Sequence, residues 1–199
     1  MTGSYRNSMQ IRKSPSIQHL SIIKRRDEWE TPPNLFAQAC VNYHITPSID
    51  VCATKFSKLC DQYLGLDHKD ARKRDALEVA WDKDFFMNPP YSRIKEFMDY
   101  AFAQVWEHHV NALIITYSKT DTKWWHKYIE ENRIVKTHFI KGRVHFMING
   151  SIPKICRKCQ AVYFEEITEC KICQGRKFMR NTSPYPSVWI VVKPKRRKK

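Results

Sequence analysis

The chain predicts an α/β domain of three layers, a mostly parallel sheet with helices on both faces, carrying one small cysteine-rich unit. Three observations lead there. Helix-period and strand-like segments alternate from residue 34 to residue 140, the pattern of a sheet crossed by helices. A stiff Asn88-Pro89-Pro90-Tyr91 turn joins an apolar run to a helical one. Four cysteines fall in two CxxC pairs near the end of the chain.

The elements follow in order. Residues 1–26 are polar, basic and without periodicity, which predicts a flexible segment. Asn34 to Tyr43 reads as a helix with Leu35, Phe36, Ala39 and Cys40 on one face. Ser48 to Cys52 is a short strand, and Ser57 to Leu64 a helix or loop leading toward Asp75. Asp84-Phe85-Phe86-Met87 is a buried strand, followed by helical spacing from Ile94 to Val105. Ala112 to Thr116 is the clearest buried strand of the chain. Thr122 to Glu131 is an aromatic-rich helix with Asp121 as a candidate cap, its Trp124 and Trp125 packing onto the sheet. Ile134 to Ile140, Val144 to Ile148 and Val188 to Val192 complete the strands, the last two segments being the final strands of the sheet.

Charge narrows the partners. Lysines and arginines number 35 against 20 carboxylates in 199 residues, a net charge of +15. Lys193 to Lys199 holds six of those positive charges, and removing them still leaves an excess of nine. Lys24, Arg25 and Arg26 form a second cluster. Such a balance points to a polyanion, nucleic acid first. No apolar run approaches the ~20 residues of a membrane span, and no apolar leader stands at the N-terminus. The expectation is a soluble, intracellular protein with no membrane partner. Cys40, Cys52 and Cys60 lie in apolar surroundings, where reduced thiols pack as small hydrophobes.

The Asn88–Tyr91 turn carries chemistry. Two prolines fix the backbone and remove two N–H donors, leaving carbonyls to point outward. Asn88 adds a side-chain acceptor and Tyr91 a flat ring. Two acceptors can hold a planar NH₂ group while the ring stacks on its base.

The string resembles the (D/N/S)PP(Y/F/W) motif of amino-directed methyltransferases that use S-adenosylmethionine. Asp27-Glu28-Trp29-Glu30-Thr31-Pro32-Pro33, Asp50-Val51-Cys52-Ala53-Thr54, Asp75-Ala76-Leu77 with Trp81, Asp121-Thr122 with Trp124-Trp125-His126, and Gly142-Arg143-Val144 surround it in order. That order is similar to the phage-type Dam family of DNA N6-adenine methyltransferases, over about residues 27–148 and again near Ser187. The resemblance implies a Rossmann-like class I methyltransferase sheet and double-stranded DNA as partner. It places Thr31, Pro32, Asp50, Cys52 and Ala53 near the methionine end of the cofactor, with Asp75, Ala76 and Leu77 at its adenine and Asn88 between cofactor and target. Asn88, Pro89, Pro90 and Tyr91 would be catalytic. Hydrogen bonds to Asn88 and the Pro89 carbonyl would leave the amine nitrogen more pyramidal and more nucleophilic, in a base flipped out of its duplex. Tyr91 would be the stacking platform, with Phe146 either the second face or a core aromatic. The chain departs from the general pattern in having no glycine between Gly3 and Gly65, where a Gly-rich turn normally lets backbone approach the cofactor. Asp61 is a weak candidate for the cofactor ribose.

Cys156-x₂-Cys159-x₁₀-Cys170-x₂-Cys173 is the spacing of a closed Cys₄ zinc ribbon, structural because all four positions are protein ligands. Arg143 beside it and Arg157, Lys158, Lys171, Arg176, Lys177 and Arg180 within it suit contact with DNA phosphates. The expected organisation is residues 27–148 plus 187–193 as core, 149–186 as zinc-ribbon insertion, and 194–199 as a basic tail. Related motifs also serve RNA adenine, cytosine N4 and glutamine amides, and a non-catalytic zinc-ribbon binder of nucleic acid is a third reading. Oligomeric state leaves no mark on the sequence.

Overall fold

The computed structural model describes residues 26–194. The expectations for residues 1–25 and for most of the basic tail lie outside that range. Two sheets are formed. The larger takes β1 (Ile49–Asp50), β2 (Gln62–Tyr63), β3 (Phe85–Met87), β4 (Ala112–Tyr117), β5 (Val135–Phe139) and β9 (Ser187–Val192) in the order β2-β1-β3-β4-β9-β5. The strands β2, β1, β3 and β4 run parallel, and β9 is antiparallel to both its neighbours. The smaller sheet, β7-β6-β8, takes β6 (Lys154–Cys156), β7 (Val162–Tyr163) and β8 (Phe178–Arg180).

The central strands are buried on both faces, so their sequences are continuous apolar runs rather than alternations. Alternate residues feed two cores. Phe85, Met87, Ala112, Ile114, Val188 and Ile190 face α2 (Ile94–His108) and α3 (Lys123–Tyr128), which contribute Phe97, Phe102, Trp124 and Trp125. Phe86, Leu113, Ile115, Trp189 and Val191 face α1 (Pro33–Tyr43), which contributes Ala39 with Leu35, Phe36 and Cys40 at its border. Burial of about 25 cal/mol per Å² of apolar surface on two faces makes this sheet the stable frame. The helix α1 begins with Pro33 at its first turn, where a missing N–H costs nothing, and ends on His44 in the left-handed conformation.

Two expectations are corrected, and two open alternatives are decided. Val144–Ile148 is not a sheet strand. Val144, Phe146 and Ile148 are indeed buried alternately, but they pack on the α1 face of the sheet, and the segment pairs only through isolated bridges, Glu30 with Met147 and Ile148 with Ser151. Alternation reports an extended segment with one buried face, not where its hydrogen bonds go. The final two strands are therefore β5 and β9. Of helix or loop for Ser57–Leu64 the loop is found, and it ends in the edge strand β2, whose Gln62 and Tyr63 show no apolar signal. Asp121 caps nothing, since Thr122 holds the N-cap position of α3 without a side-chain cap bond. Phe146 is a core aromatic, fully buried with its ring 5.3 Å from that of Trp29.

Among the described residues no helix is long and apolar enough to cross a membrane.

Candidate active site and metal centre

The parallel strands end on one edge, and the segments leaving them line a cavity of about 930 Å³. Ligands of open α/β sheets bind beyond the carboxyl ends of the strands, where diverging loops leave a crevice. Thr31, Asp50, Cys52, Ala53, Asp75, Ala76, Asn88 and Pro90 of the expected set come together in that lining. Pro32, Leu77, Pro89 and Tyr91 do not reach it. Pro32 is the N-cap of α1, and Leu77 packs against the core. Asp61 also lies outside, whereas Asp67 lines the cavity.

Asn88 follows β3 directly and is oriented by its own hydrogen bonds. Its Nδ2 donates to the carbonyl of Trp29 at 2.7 Å. Only the NH₂ end can make that bond, so the amide orientation follows from chemistry. Its Oδ1 is buried with no partner among the described residues. Trp29 Nε1 and Thr31 Oγ1, also in the cavity wall, are left in the same condition. A buried polar atom without a partner costs about 1–3 kcal/mol, so three of them around one cavity mark a site built for a polar ligand.

Residues 27–32 form a strap over the cavity, held at three points. The Asp27 carboxylate accepts from the Ser92 backbone N–H at 2.9 Å and from the Ser92 hydroxyl. Glu30 exchanges backbone hydrogen bonds with Met147, both at 2.9 Å. The Glu30 carboxylate accepts from the N–H groups of Asn149 and Gly150, at 3.1 and 2.8 Å. These ties reach 65 to 120 residues along the chain.

The floor is electrostatically unusual. Asp50 is 2 % exposed, and burial pushes its carboxyl up to about 7. The N–H groups of Leu59 and Cys52, each at 3.2 Å, offset only part of that. The neighbouring Cys52 thiol is raised well above its ordinary range by burial and then by Asp50, so it stays a thiol. Asp75 accepts from Leu77 N–H at 3.0 Å as the N-cap of a short 3₁₀ turn (Ala76–Glu78) and faces the cavity as well. Trp81 fixes that wall: its indole donates to the Ala76 carbonyl at 2.9 Å, and its backbone N–H to buried Gln104 at 2.7 Å.

Gly65 supplies the close approach that the turn after β1 lacks. A Cβ there would stand 1.7 Å from the Ala53 carbonyl oxygen, so only glycine lets the ends of β1 and β2 meet. A single glycine between Leu64 and Leu66-Asp67 is the one sequence signal for this contact, and it has meaning only beside a strand β2 that the sequence does not announce.

Tyr91 stacks flat on Tyr117, with centroids 4.0 Å apart and planes at 14°. Tyr117 in turn contacts Tyr185 at 5.2 Å, and Tyr185 is 43 % exposed. This aromatic run climbs the carboxyl edge from the turn to the solvent.

The second cluster is the cysteine set. The four sulfurs lie within 4.8 Å of one another, with Cys156–Cys173 at 3.6 Å and Cys159–Cys170 at 3.4 Å. These separations are far too long for a disulfide at about 2.05 Å, and close to the ~3.8 Å edge of a tetrahedron with metal–sulfur bonds near 2.3 Å. The two CxxC turns are near copies. Gln160 N–H donates to the Cys156 carbonyl at 2.9 Å and Gln174 N–H to that of Cys170 at 2.8 Å, and both glutamines take positive φ. A Cβ on Gly175 would press on the Cys173 and Cys156 sulfurs at 3.3 and 3.4 Å. The cluster can hold one metal ion. Of the expected phosphate contacts, Lys171 and Arg176 pair with Glu165 and Glu169, while Arg143, Arg157, Lys158, Lys177 and Arg180 have no ion pair among the described residues.

A carboxyl-edge cavity with a buried carboxylate, orphaned polar atoms and an Asn-Pro-Pro-Tyr turn marks the ligand site of an open α/β enzyme. The family model described as DNA N-6-adenine-methyltransferase (Dam) matches residues 20–173, through the last of the four cysteines, and the chain belongs to that family. It is accordingly a DNA adenine-N6 methyltransferase, dependent on S-adenosylmethionine. No curated protein matches the chain.

Proposed function

We propose that Asn88 is the group that activates the target adenine, and that the cavity beside it binds S-adenosylmethionine. The single observation carrying this reading is the orientation of Asn88: its donor end is consumed by Trp29, and its acceptor end is bare and buried. An N6 amine is a poor nucleophile because its lone pair is delocalised into the ring. Accepting one N6–H at Asn88 Oδ1, and the other at the Pro89 carbonyl, favours a pyramidal nitrogen with its lone pair released. The bound cofactor supplies an electrophilic sulfonium methyl. The carbon–sulfur bond breaks as the nitrogen–carbon bond forms, leaving a neutral thioether, and the methylated nitrogen, now acidic, loses its proton to solvent, so positioning provides most of the acceleration.

In the cavity, Asp50 as a carboxylate balances the cofactor's ammonium, with Cys52, Ala53 and Thr31 around it. Pro32 sets the strap that carries Thr31. Asp75 accepts from the cofactor's adenine amine, Ala76 packs on the ring, and Leu77 holds Ala76 from behind. Asp67 replaces Asp61 as the acid for the ribose hydroxyls. Pro90 and Tyr91 shape the target pocket. Because one face of Tyr91 lies on Tyr117, the flipped base takes the other. We read the sheet as the class I methyltransferase arrangement, supported by one antiparallel strand lying between β4 and β5.

We read residues 27–148 plus 187–193 as core and 149–186 as insertion, and the metal as a structural zinc ion. Thiolate donors and near-tetrahedral spacing support zinc. The insertion leaves the core after β5 and returns at β9, on the edge that carries Asn88. Arg143, Arg157, Lys158, Lys177 and Arg180 face DNA phosphates there, with Lys171 and Arg176 contributing less because each is already paired.

The test is transfer of labelled methyl from S-adenosylmethionine to unmethylated duplex DNA, followed by nucleoside analysis. N6-methyladenine is expected. N4-methylcytosine, or label in RNA or protein alone, would overturn the reading of the target pocket.

A further inference from the structure

The opposite edge of the sheet carries a second cavity, of about 360 Å³, that the reaction does not use. It lies where β5 begins and β9 ends, at the Val135–Val192 pairing, against the C-terminus of α1. Arg133, Lys136 and Lys193 line it with His44 and His138, and no carboxylate does. Lys193 donates to the Tyr43 and His44 carbonyls at 2.7 and 3.1 Å, which neutralises the negative end of α1 and fixes that charge at the rim. Tyr43 and His138 stack at 4.2 Å and make a flat wall. Arg133 and Lys136 have no ion-pair partner among the described residues. In sequence, Pro194 and then Lys195, Arg196, Arg197, Lys198 and Lys199 follow Lys193.

We propose that this cleft is a second DNA-binding site, gripping the phosphodiester backbone of a duplex segment other than the one presenting the target base. The observation that carries it is a concave surface with cations and no acids; by sequence alone, five further cations follow Pro194. The length of β9 separates the two edges by roughly 20 Å, at about 3.4 Å per residue. Bending a duplex sharply around so short a body is costly, so the cleft takes a segment looped back from farther along the DNA rather than the adjoining base pairs. Holding it raises the local concentration of DNA at the reaction edge and retains the enzyme between turnovers.

The experiment compares the full-length protein with the double variant Arg133→Gln, Lys136→Gln, and with Lys136→Glu as an independent charge reversal. Cofactor affinity and melting temperature report folding. Affinity is measured on a duplex of several hundred base pairs over a salt series, and transfer rate on a saturating short duplex. Expected are affinity for long DNA lower by on the order of tenfold at physiological salt, a shallower slope of log K against log[salt] by about two, and an unchanged rate on the short duplex. Unchanged affinity and slope in both variants would overturn the proposal. So would protection of the cleft by inorganic phosphate at concentrations that leave DNA binding intact, which would make it a small-anion site. An equal loss of transfer on short duplexes would overturn it too, by making the cleft part of the reaction site.

Discussion

Asn88 shows how one side chain can be set for its task by its neighbour. The Trp29 carbonyl takes the donor end and so decides which atom faces the cavity. Asp50 is the second such residue, and its burial has a consequence for pH. An ordinary aspartate titrates near 4, whereas Asp50 titrates at about 7 in the folded protein. Between those values the unfolded chain releases a proton that the folded chain keeps, so the contribution of Asp50 to stability falls as pH rises from about 4 to 7 and is level above. On the proposed reading cofactor affinity runs the other way. There the Asp50 carboxylate balances the ammonium of S-adenosylmethionine, so titration calorimetry should find affinity rising from about pH 6 to about pH 7.5, with release of a proton on binding. Asp50→Asn should bind weakly and flatten the profile. Asn88, with its stiff neighbours, is legible in the sequence because two prolines dictate local geometry. The raised Asp50 is not, because its burial is made by segments far away in the chain.

At the scale of elements, the strap of residues 27–32 and the cysteine unit each stand on few interactions. Glu30→Ala removes two charge-assisted hydrogen bonds that fasten the strap to Asn149 and Gly150. It should weaken S-adenosylmethionine binding by about 10-fold, on the order of 1.5 kcal/mol, with the melting temperature nearly unchanged. Gly65→Ala should be far worse. The added methyl would strike the Ala53 backbone, and a thermal melt should show a loss of about 3 kcal/mol together with loss of cofactor binding. For the cysteine unit, metal analysis should find one zinc ion per chain, and Cys170→Ser should lower that content. Chelation should unfold β6, β7 and β8 while hydrogen exchange in β3, β4 and β9 stays protected. The cysteine spacing and the strands β3 and β4 can be read from sequence, because a CxxC turn and a continuous apolar run are local signals. The two-residue β2 and the packing of Val144–Ile148 cannot: one has no apolar pattern, and the other keeps a strand's pattern while its backbone pairs elsewhere.

For the molecule as a whole, chain order and charge converge on one division of labour. The carboxyl edge gathers the ends of β1, β2 and β3 around the cavity beside Asn88, and the segment between β5 and β9 leaves from that same edge. A net charge of +15 is enough by itself to call for a polyanionic partner. It does not say which cations are available, because Lys171 and Arg176 are taken by Glu165 and Glu169, while Arg133 and Lys136 stand free of ion pairs, among the described residues, on the far edge. The order of the motifs along the chain is enough to indicate the family. The convergence of residues 29, 50, 67 and 88 on one cavity requires the fold. The proposed chemistry turns on Asn88, and the most direct measurement is the single-turnover rate of methyl transfer to duplex DNA for Asn88→Ala and Asn88→Asp, with cofactor affinity measured alongside. Asn88→Ala should lose about 10²–10³-fold or more with cofactor and DNA affinities within a few-fold of the parent. Asn88→Asp keeps an acceptor but loses the donor to Trp29, so its rate should fall between those of Asn88→Ala and the parent. An Asn88→Ala enzyme whose transfer rate stays close to that of the parent would mean that the Asn88 acceptor does not activate the amine.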